Sequence, residues 1–188
     1  THVGPVTSLR SFLAIRKASA AGGVVDDRLA DEAISPLAFT PPADDLPFGI
    51  NATLYSYQLA GWRWLKFLLS EGIGGLLADE MGLGKTLQVI AALSDPGGEA
   101  PSPALIVAPG SLLENWRREI AKFAPHLRVL KHHGPQRTGR PAELKGYDVV
   151  VTSYDNAVGD NSLLNMILWK VVILDEAQFI RNPNAQRT

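Results

Sequence analysis

Short runs rich in apolar residues recur along this chain, at 74–79, 104–108, 127–130, 147–152 and 170–175. Apart from 127–130, each contains at least three consecutive apolar residues. A strand of that kind must be covered on both faces, as in a parallel sheet between two helical layers. Segments with helical periodicity separate the runs, at about 56–70, 84–93 and 112–123. The alternation predicts a three-layer α/β fold, in which helices cover both faces of a mainly parallel sheet.

Composition excludes several classes of protein. Hydrophobic residues make up 46% and charged residues 20% of the 188 residues, as in globular domains rather than disordered chains. The balance of 18 Lys and Arg against 19 Asp and Glu argues against a strongly basic, histone-like binder. Because the chain has no Cys, disulfides, thiolate zinc sites and cysteine nucleophiles are excluded.

No stretch reaches the roughly 18 uninterrupted apolar residues that a membrane span needs. A basic region followed by an apolar stretch, which would mark a secretory signal, is also missing from the first residues. We therefore expect a cytoplasmic protein without a membrane partner, associated with the nucleoid if its source is bacterial.

Residues 1–50 differ from the rest of the chain. A short amphipathic helix is expected after Ser8, and Gly22 and Gly23 end it. Carboxylates and four prolines collect in the remainder of the segment, and each proline disfavours a helix just before it. We expect a lead-in segment that is partly helical or disordered, followed by a folded unit at 51–188.

Two helix starts carry polar residues that are typical of N-terminal caps. Ser56 stands at the beginning of the first helical pattern. Ser111 and Glu114 have the spacing of a capping box, in which each side chain satisfies one backbone amide at the helix start. The sequence therefore predicts a cap at each of these two positions.

A Gly-rich turn stands between the first apolar run and a helix. It consists of Asp79, Glu80, Met81, Gly82, Leu83, Gly84, Lys85 and Thr86. The two glycines let successive N–H groups converge on an anion at the positive end of the helix. Lys85 is placed to reach the β- and γ-phosphates of ATP, and Thr86 to bind Mg²⁺ through its hydroxyl. The pattern is that of a Walker A loop, except that Asp79 stands where glycine is usual.

Asp175 and Glu176 follow the apolar residues of the last run. Ligands of open α/β sheets bind at the carboxyl ends of strands, which is where this pair falls. As a Walker B pair, Asp175 would hold Mg²⁺ and Glu176 would orient and deprotonate the attacking water. An Asp-Glu pair can also simply cap a following helix. The upstream Walker A pattern makes the Walker B interpretation much more specific than the pair alone.

The acidic box from Asp175 to Gln178, taken with the Gly-rich turn, closely resembles the N-terminal lobe of the Swi/Snf family of superfamily-two, helicase-like ATPases. The resemblance runs from about Leu54 to Thr188. Further segments that carry it are Leu54–Gln58 with Gly61, Trp64 and Leu65, Leu105–Pro109 with 111–116, His133-Gly134, and Val150–Tyr154. It implies a RecA-like P-loop lobe that uses ATP and Mg²⁺. Gln58 would read the adenine, and Gln178 would replace the usual His in the nucleotide site, a variant seen in bacterial-type members.

The resemblance also implies movement along double-stranded DNA driven by ATP hydrolysis. Ser111, Thr152 and Ser153 would donate hydrogen bonds to DNA phosphates, which position the duplex without reading its sequence. For each of these hydroxyls a cap or turn role is an equal alternative. A basic loop, defined by Arg128, Lys131, Arg137, Arg140 and Lys145, is a further candidate phosphate contact, or merely a solvated loop.

Members of this family continue past the acidic box into a motif III strand and a second lobe with arginine fingers. We therefore expect an ATP-binding lobe truncated after motif II, whose partners are double-stranded DNA and the second lobe of the same protein. RNA polymerase and other DNA-bound complexes are further candidate partners. Since the motif III strand normally lies between the Walker A and Walker B strands, the sheet of this chain is expected to be incomplete or completed by another segment.

Two other functions fit the same motifs. One is another helicase-like nucleic-acid motor, such as a restriction or repair translocase. The other is a non-catalytic interaction module with a vestigial nucleotide loop, against which the intact Lys85, Thr86, Asp175 and Glu176 argue. Trp64 and Trp116 share helical spacing with aliphatic residues, so core packing is favoured over base stacking. His132 and His133 point to opposite faces of an extended segment, which disfavours a metal site.

Overall fold

The computed structural model describes residues 47–79, 82–94, 103–135 and 137–180. Nearly all of the predicted lead-in segment, together with Glu80 and Met81, lies outside these ranges. The helices are α1 (Ser56–Glu71), α2 (Lys85–Ser94), α3 (Leu113–Phe123), α4 (Pro141–Lys145), α5 (Tyr154–Gly159) and α6 (Asn161–Leu164). The strands are β1 (Ala104–Ala108), β2 (Val129–His132), β3 (Val149–Ser153) and β4 (Val171–Leu174). Short 3-10 turns lie at Gly110–Leu112 and Ala177–Ile180.

The four strands form one parallel sheet in the order β2-β3-β1-β4. At its centre Ile106 stands opposite both Val151 and Ile173. Both central strands, β1 and β3, are buried along their whole length. The prediction of a mainly parallel sheet is therefore confirmed, and the carboxyl ends of β1, β3 and β4 meet at one edge.

Helices cover both faces of the sheet, as predicted. On one face, α2 and α3 pack on β1 and β3 in a single apolar cluster centred on Ile106 and Ile120. On the other face, α4, α5 and α6 contribute Leu144, Tyr154 and Leu164 to a second cluster. Burying one aliphatic side chain of this kind stabilises the fold by about 1.5–3 kcal/mol. Helix α1 lies outside the first layer and packs on α2 through Trp62.

The strand predicted at 74–79 is wrong for this structure. Residues 73–79 are irregular, and Leu76 is 75% exposed. A strand needs a neighbour for its backbone hydrogen bonds. The resemblance placed a further strand between this segment and β4, and none of the residues that the structure describes forms one. The segment therefore has no place in the sheet.

Both predicted helix caps are also wrong. Helix α1 begins after Tyr55, whose N–H donates to the side-chain oxygen of Gln58 at 3.0 Å. At the second site a 3-10 turn precedes α3, which begins at Leu113, and no side chain caps the helix. Glu114 instead accepts hydrogen bonds from Arg117 and Lys131. These bonds, chiefly the one from Arg117, lower the pKa of Glu114 to about 2.

None of the described helices is both long and apolar enough to cross a membrane.

A partly buried polar cluster joins β2 to the loop between α5 and α6. His132, whose side chain is fully buried, lies 2.9 Å from Asp160 through its Nε2 atom. Arg137 donates to both carboxylate oxygens of Asp160, at 2.5 and 3.1 Å. The Arg137 bonds, followed by that of His132, lower the pKa of Asp160. The cluster was invisible in the sequence because its members are 23 and 28 residues from Asp160.

We expect the Asp160→Asn substitution to lower the free energy of unfolding at pH 7 by about 2 kcal/mol, because hydrogen bonds to a charged group are lost. A carboxyl whose pKa is lowered by folding stabilises the fold above its unfolded pKa of about 3.9, and this stabilisation is lost as the pH falls further. The difference between variant and wild type should therefore shrink below about pH 4. Urea unfolding at pH 7 and at low pH measures both effects.

Glu143→Gln is the matched control, because the Arg140–Glu143 pair is exposed and its N–O distance is 3.6 Å. Exposed pairs of this kind are worth about 0–1 kcal/mol. Equal losses in the two variants, or a loss in Asp160→Asn that does not depend on pH, would contradict the assignment.

Candidate nucleotide site and nucleic-acid edge

Two glycines of the Gly-rich turn have backbone angles that other residues disfavour. Gly82 and Gly84 have φ angles of 86° and 71°, in the left-handed region that side chains disfavour. A Cβ atom on Gly84 would lie only 2.4 Å from the amide nitrogen of Gln58. Around Gly82 a Cβ atom would meet no neighbour within 4 Å. Gln58 therefore leaves no room for a side chain at Gly84, whereas the space around Gly82 is empty.

Gln58 connects α1 to this turn. Its side chain is buried, and its amide nitrogen donates to the backbone carbonyl of Leu83 at 3.1 Å. Its amide oxygen accepts from the N–H of Tyr55. The structure thus brings together two elements that the sequence separates by 25 residues, the predicted adenine reader and the predicted phosphate loop.

Lys85 is the first residue of α2, so its side chain and the free N–H groups of the helix start lie at the same place. One hydrogen bond of its ammonium group goes to the backbone carbonyl of Asp79, at 2.6 Å. This bond folds the lysine back along the turn. Thr86 follows directly, in the first turn of the same helix.

Helix α2 is held close to α1 by a glycine. A Cβ atom on Gly61 would lie 1.9 Å from the side-chain oxygen of Gln88, which is itself fully buried. Any other residue at 61 would have to displace the Gln88 side chain from this position. The close contact fixes the helix that carries Lys85 against the helix that carries Gln58.

Asp175 follows β4, and its carboxylate is held by two donors. The indole N–H of Trp116 donates to Oδ2 at 2.8 Å, and the backbone N–H of Glu176 donates to Oδ1 at 3.0 Å. The hydroxyl of Tyr154 donates to the backbone carbonyl of Asp175 at 2.8 Å. The sequence indicated Trp116 as a core residue, which is correct, but the bond to Asp175 was missed. The available signal was that a buried Trp usually needs a partner for its N–H.

Glu176 has an unusual backbone, with a φ angle of 51°. Non-glycine residues in this region cost about 1–3 kcal/mol and cluster at functional sites. Gln178 donates a hydrogen bond from its side-chain amide to the Glu176 carboxylate. The predicted base and the predicted box glutamine are therefore in direct contact.

Tyr154 and Phe179 form a stacked pair over this region, with ring centroids 6.3 Å apart and planes inclined by 10°. Burial raises the pKa of Tyr154, and the negative charges of Asp175 and Glu176 raise it further. The phenol is therefore held as a hydrogen-bond donor.

The three predicted phosphate-contacting hydroxyls lie in different environments. Ser111 is exposed in the 3-10 turn that follows β1. Thr152 is fully buried, and its hydroxyl donates to the backbone carbonyl of His132. Ser153 is buried, and its hydroxyl accepts from the N–H of Asn156 as the cap of α5. The side chains of Thr152 and Ser153 thus have the structural roles that the sequence left open as alternatives.

Three of the five side chains that define the basic loop pair with carboxylates outside it. Arg128 pairs with Asp148 at 3.0 Å, and Lys131 pairs with Glu114 at 3.1 Å. Arg137 belongs to the partly buried cluster with Asp160. Counting charges along the sequence therefore overstated the positive charge of this surface. His132 is buried while His133 is exposed, as their alternation predicted.

Comparison with known proteins decides the family. Residues 57–188 match the SNF2-related domain. The chain belongs to this family. The resemblance to Swi/Snf ATPases that the motifs indicated is therefore confirmed.

SNF2-family relatives come from bacteria and fungi. YwqA of Bacillus subtilis is 43% identical over 73% of this chain and 16% of its own length. The TATA-binding protein-associated factor mot1 of Aspergillus fumigatus is 40% identical over 76% of this chain and 8% of its own. The chromatin-remodeling ATPase INO80 of Candida glabrata is 39% identical over 75% of this chain and 10% of its own. The chain thus spans less than a fifth of each of these relatives.

The fold is also that of a solved SNF2-family protein. The SWI2/SNF2 ATPase core of Sulfolobus solfataricus in complex with double-stranded DNA has a TM-score of 0.68 and 40% sequence identity to this chain. The match covers 76% of this chain and 30% of that core. The predicted RecA-like α/β architecture is therefore confirmed for the SNF2-related domain described here.

Proposed function

We propose that this chain is the ATP-binding lobe of a DNA-dependent ATPase that moves along double-stranded DNA. The observation that carries the proposal is the contact between Gln58 and Leu83, which joins the predicted adenine reader to the Gly-rich turn in a chain of the SNF2-related family. Lys85 and Thr86 would bind the phosphates at the positive end of α2, where backbone N–H groups are free to contact an anion.

The residues present fit a nucleotide-bound Mg²⁺ ion. Thr86 offers a hydroxyl in the first turn of α2, and Asp175 offers a carboxylate at the carboxyl edge of the sheet. Both are oxygen ligands, which Mg²⁺ prefers. When bound, Mg²⁺ neutralises charge on the phosphates. Glu176 would orient and deprotonate the water, and the amide of Gln178 would hold the Glu176 carboxylate in place.

On the nucleic-acid side we propose Ser111 as the phosphate-contacting hydroxyl, since it is exposed at the edge where the sheet ends. Thr152 and Ser153 would shape the same edge through their bonds to His132 and Asn156. The solved core that resembles this chain is in complex with double-stranded DNA, which supports the same ligand here. Three points stay predictions. They are the partnership with a second lobe, the partnership with RNA polymerase or other DNA-bound complexes, and the cytoplasmic location.

The deciding measurement is the ATPase rate of a protein that carries this sequence together with the predicted second lobe. We expect double-stranded DNA to stimulate hydrolysis more than single-stranded DNA or RNA does, and Ser111→Ala to weaken DNA binding evenly across sequences. Stimulation by RNA or by single strands alone would favour another helicase-like motor. A folded protein that binds no ATP in the presence of Mg²⁺ would favour an interaction module.

A further inference from the structure

We propose that Trp116 is a positioning residue for Asp175, whose carboxylate its indole N–H holds in the orientation that the metal requires. The inference rests on the proposed function, which assigns Asp175 to Mg²⁺. It adds a residue from α3, a helix that follows the nucleic-acid edge of β1, to the machinery of the nucleotide site.

The bond is short and its donor cannot easily turn away. The indole nitrogen of Trp116 lies 2.8 Å from Oδ2 of Asp175, and only 4% of the Trp116 residue is exposed. Its ring belongs to the same apolar cluster as Ile120 of α3 and Ile90 of α2. Packing on several sides locks the side chain, and a locked donor presents its hydrogen without a cost in conformational entropy.

The remaining contacts of Asp175 complete the arrangement. The N–H of Glu176 holds Oδ1, so each carboxylate oxygen has one donor and keeps a free lone pair. Tyr154 fixes the backbone carbonyl of the same residue. Mutation of hydrogen-bond partners that orient a metal-binding side chain typically lowers metal affinity or activity about 10- to 100-fold.

The arrangement also links two sides of the lobe. Ile90 lies on the helix that begins at Lys85, and Trp116 lies one turn into the helix that follows the Ser111 turn. Both belong to one apolar cluster, so a shift of α3 would move the donor of Asp175. A movement of α3, which lies next to the nucleic-acid edge, would therefore change the hydrogen bond that positions the Asp175 carboxylate.

Trp62 supplies a matched control within the same chain. It is fully buried like Trp116, but its indole nitrogen has no hydrogen-bond partner among the residues described. Replacing either tryptophan by Phe removes the same atoms from a buried site. Only Trp116→Phe also removes a hydrogen bond to Asp175, so the difference between the variants reports that bond.

The experiment measures ADP affinity by calorimetry, with Mg²⁺ and with EDTA, in a two-lobed protein that carries this sequence. We expect Trp116→Phe to reduce the Mg²⁺-dependent gain in affinity by about tenfold or more, with the EDTA affinity unchanged. Trp62→Phe should leave the gain as in the wild type. Electron paramagnetic resonance of Mn²⁺ with ADP provides a second readout that is independent of turnover.

Replacement of Trp116 by 3-benzothienylalanine keeps the ring shape but lacks the N–H, so it tests the bond without a packing change. In an Asp175→Asn background, Trp116→Phe should have no further effect on the Mg²⁺-dependent gain. An unchanged gain in the benzothienyl variant, or an equal loss in the Asp175→Asn background, would overturn the proposal. Absence of ADP binding in the wild type would instead overturn the proposed function itself, and this inference with it.

Discussion

The 188-residue chain alone is expected to hydrolyse ATP at the background rate, even with saturating double-stranded DNA. The same sequence joined to its predicted second lobe should turn over about 10³–10⁵-fold faster, which is the contribution of an arginine finger to phosphoryl transfer. Phosphate release, measured with and without a DNA duplex, compares the two proteins directly.

Three arginines of the described residues already have partners within the lobe. Arg117, Arg128 and Arg137 are each engaged with a carboxylate of the same lobe. Freeing Arg137 would cost its two hydrogen bonds to Asp160 in a partly buried cluster, so it is a poor candidate for contacting a γ-phosphate.

A two-lobed protein with Glu176→Gln is the control for this comparison, because its loss of turnover shows that the activity belongs to this site. If the chain alone reached the rate of the two-lobed protein, the lobe would be a complete catalyst. The predicted dependence on a second lobe would then be wrong.

Lys85→Ala should lower the turnover of the two-lobed protein by about 10²–10³-fold, as the loss of one well-placed donor to developing negative charge does elsewhere. It should also weaken ATP binding, since hydrogen bonds to charged groups are worth about 1.5–3 kcal/mol. The fold should be little affected, because the hydrogen bond from Lys85 to the Asp79 carbonyl is exposed. Calorimetry with ATP and Mg²⁺, together with thermal unfolding, separates these effects.

Lys122→Ala is a suitable companion variant. Lys122 is an exposed lysine near the end of α3 and contacts the ring of Phe123 rather than the Gly-rich turn. It should leave both ATP affinity and turnover unchanged. Wild-type affinity in Lys85→Ala would contradict phosphate binding by the Gly-rich turn and would favour the interaction module.

Sequence patterns were sufficient for the elements that are determined locally or by burial. Continuous apolar runs predicted β1 with the boundaries that the structure shows, and β2, β3 and β4 to within two residues or so. Helical periodicity likewise predicted α1, α2 and α3. Burial of a strand on both faces leaves a pattern in the sequence, and for these elements the sheet supplied the partners that the pattern requires.

Elements that depend on distant partners could not be predicted in this way. The segment 74–79 has the composition of a buried strand, but composition does not show whether a neighbouring strand is present. The Ser111–Glu114 spacing fits a capping box, yet Glu114 binds Lys131, which is 17 residues away.

In the candidate site, too, some residues follow from local sequence and others depend on distant partners. Lys85, Thr86, Asp175 and Glu176 follow from local motifs, whereas the donor to Asp175 lies 59 residues upstream. Trp116 looks like an ordinary apolar residue at helical spacing until the fold brings its indole to the end of β4. Tertiary hydrogen bonds of this kind leave no periodic signal in the sequence.

The two outer strands of the sheet differ in character. β2 carries Lys131, which pairs with Glu114 of α3, and an edge lysine discourages another chain from pairing there. β4 consists of Val171, Val172, Ile173 and Leu174, and two of its four side chains are about half exposed. The β2 edge of the sheet thus opposes pairing with another strand, and the β4 edge is open to it. We therefore expect a further strand to add beside β4 rather than beside β2, and the carboxylates that follow β4 would then lie inside the sheet instead of at its edge.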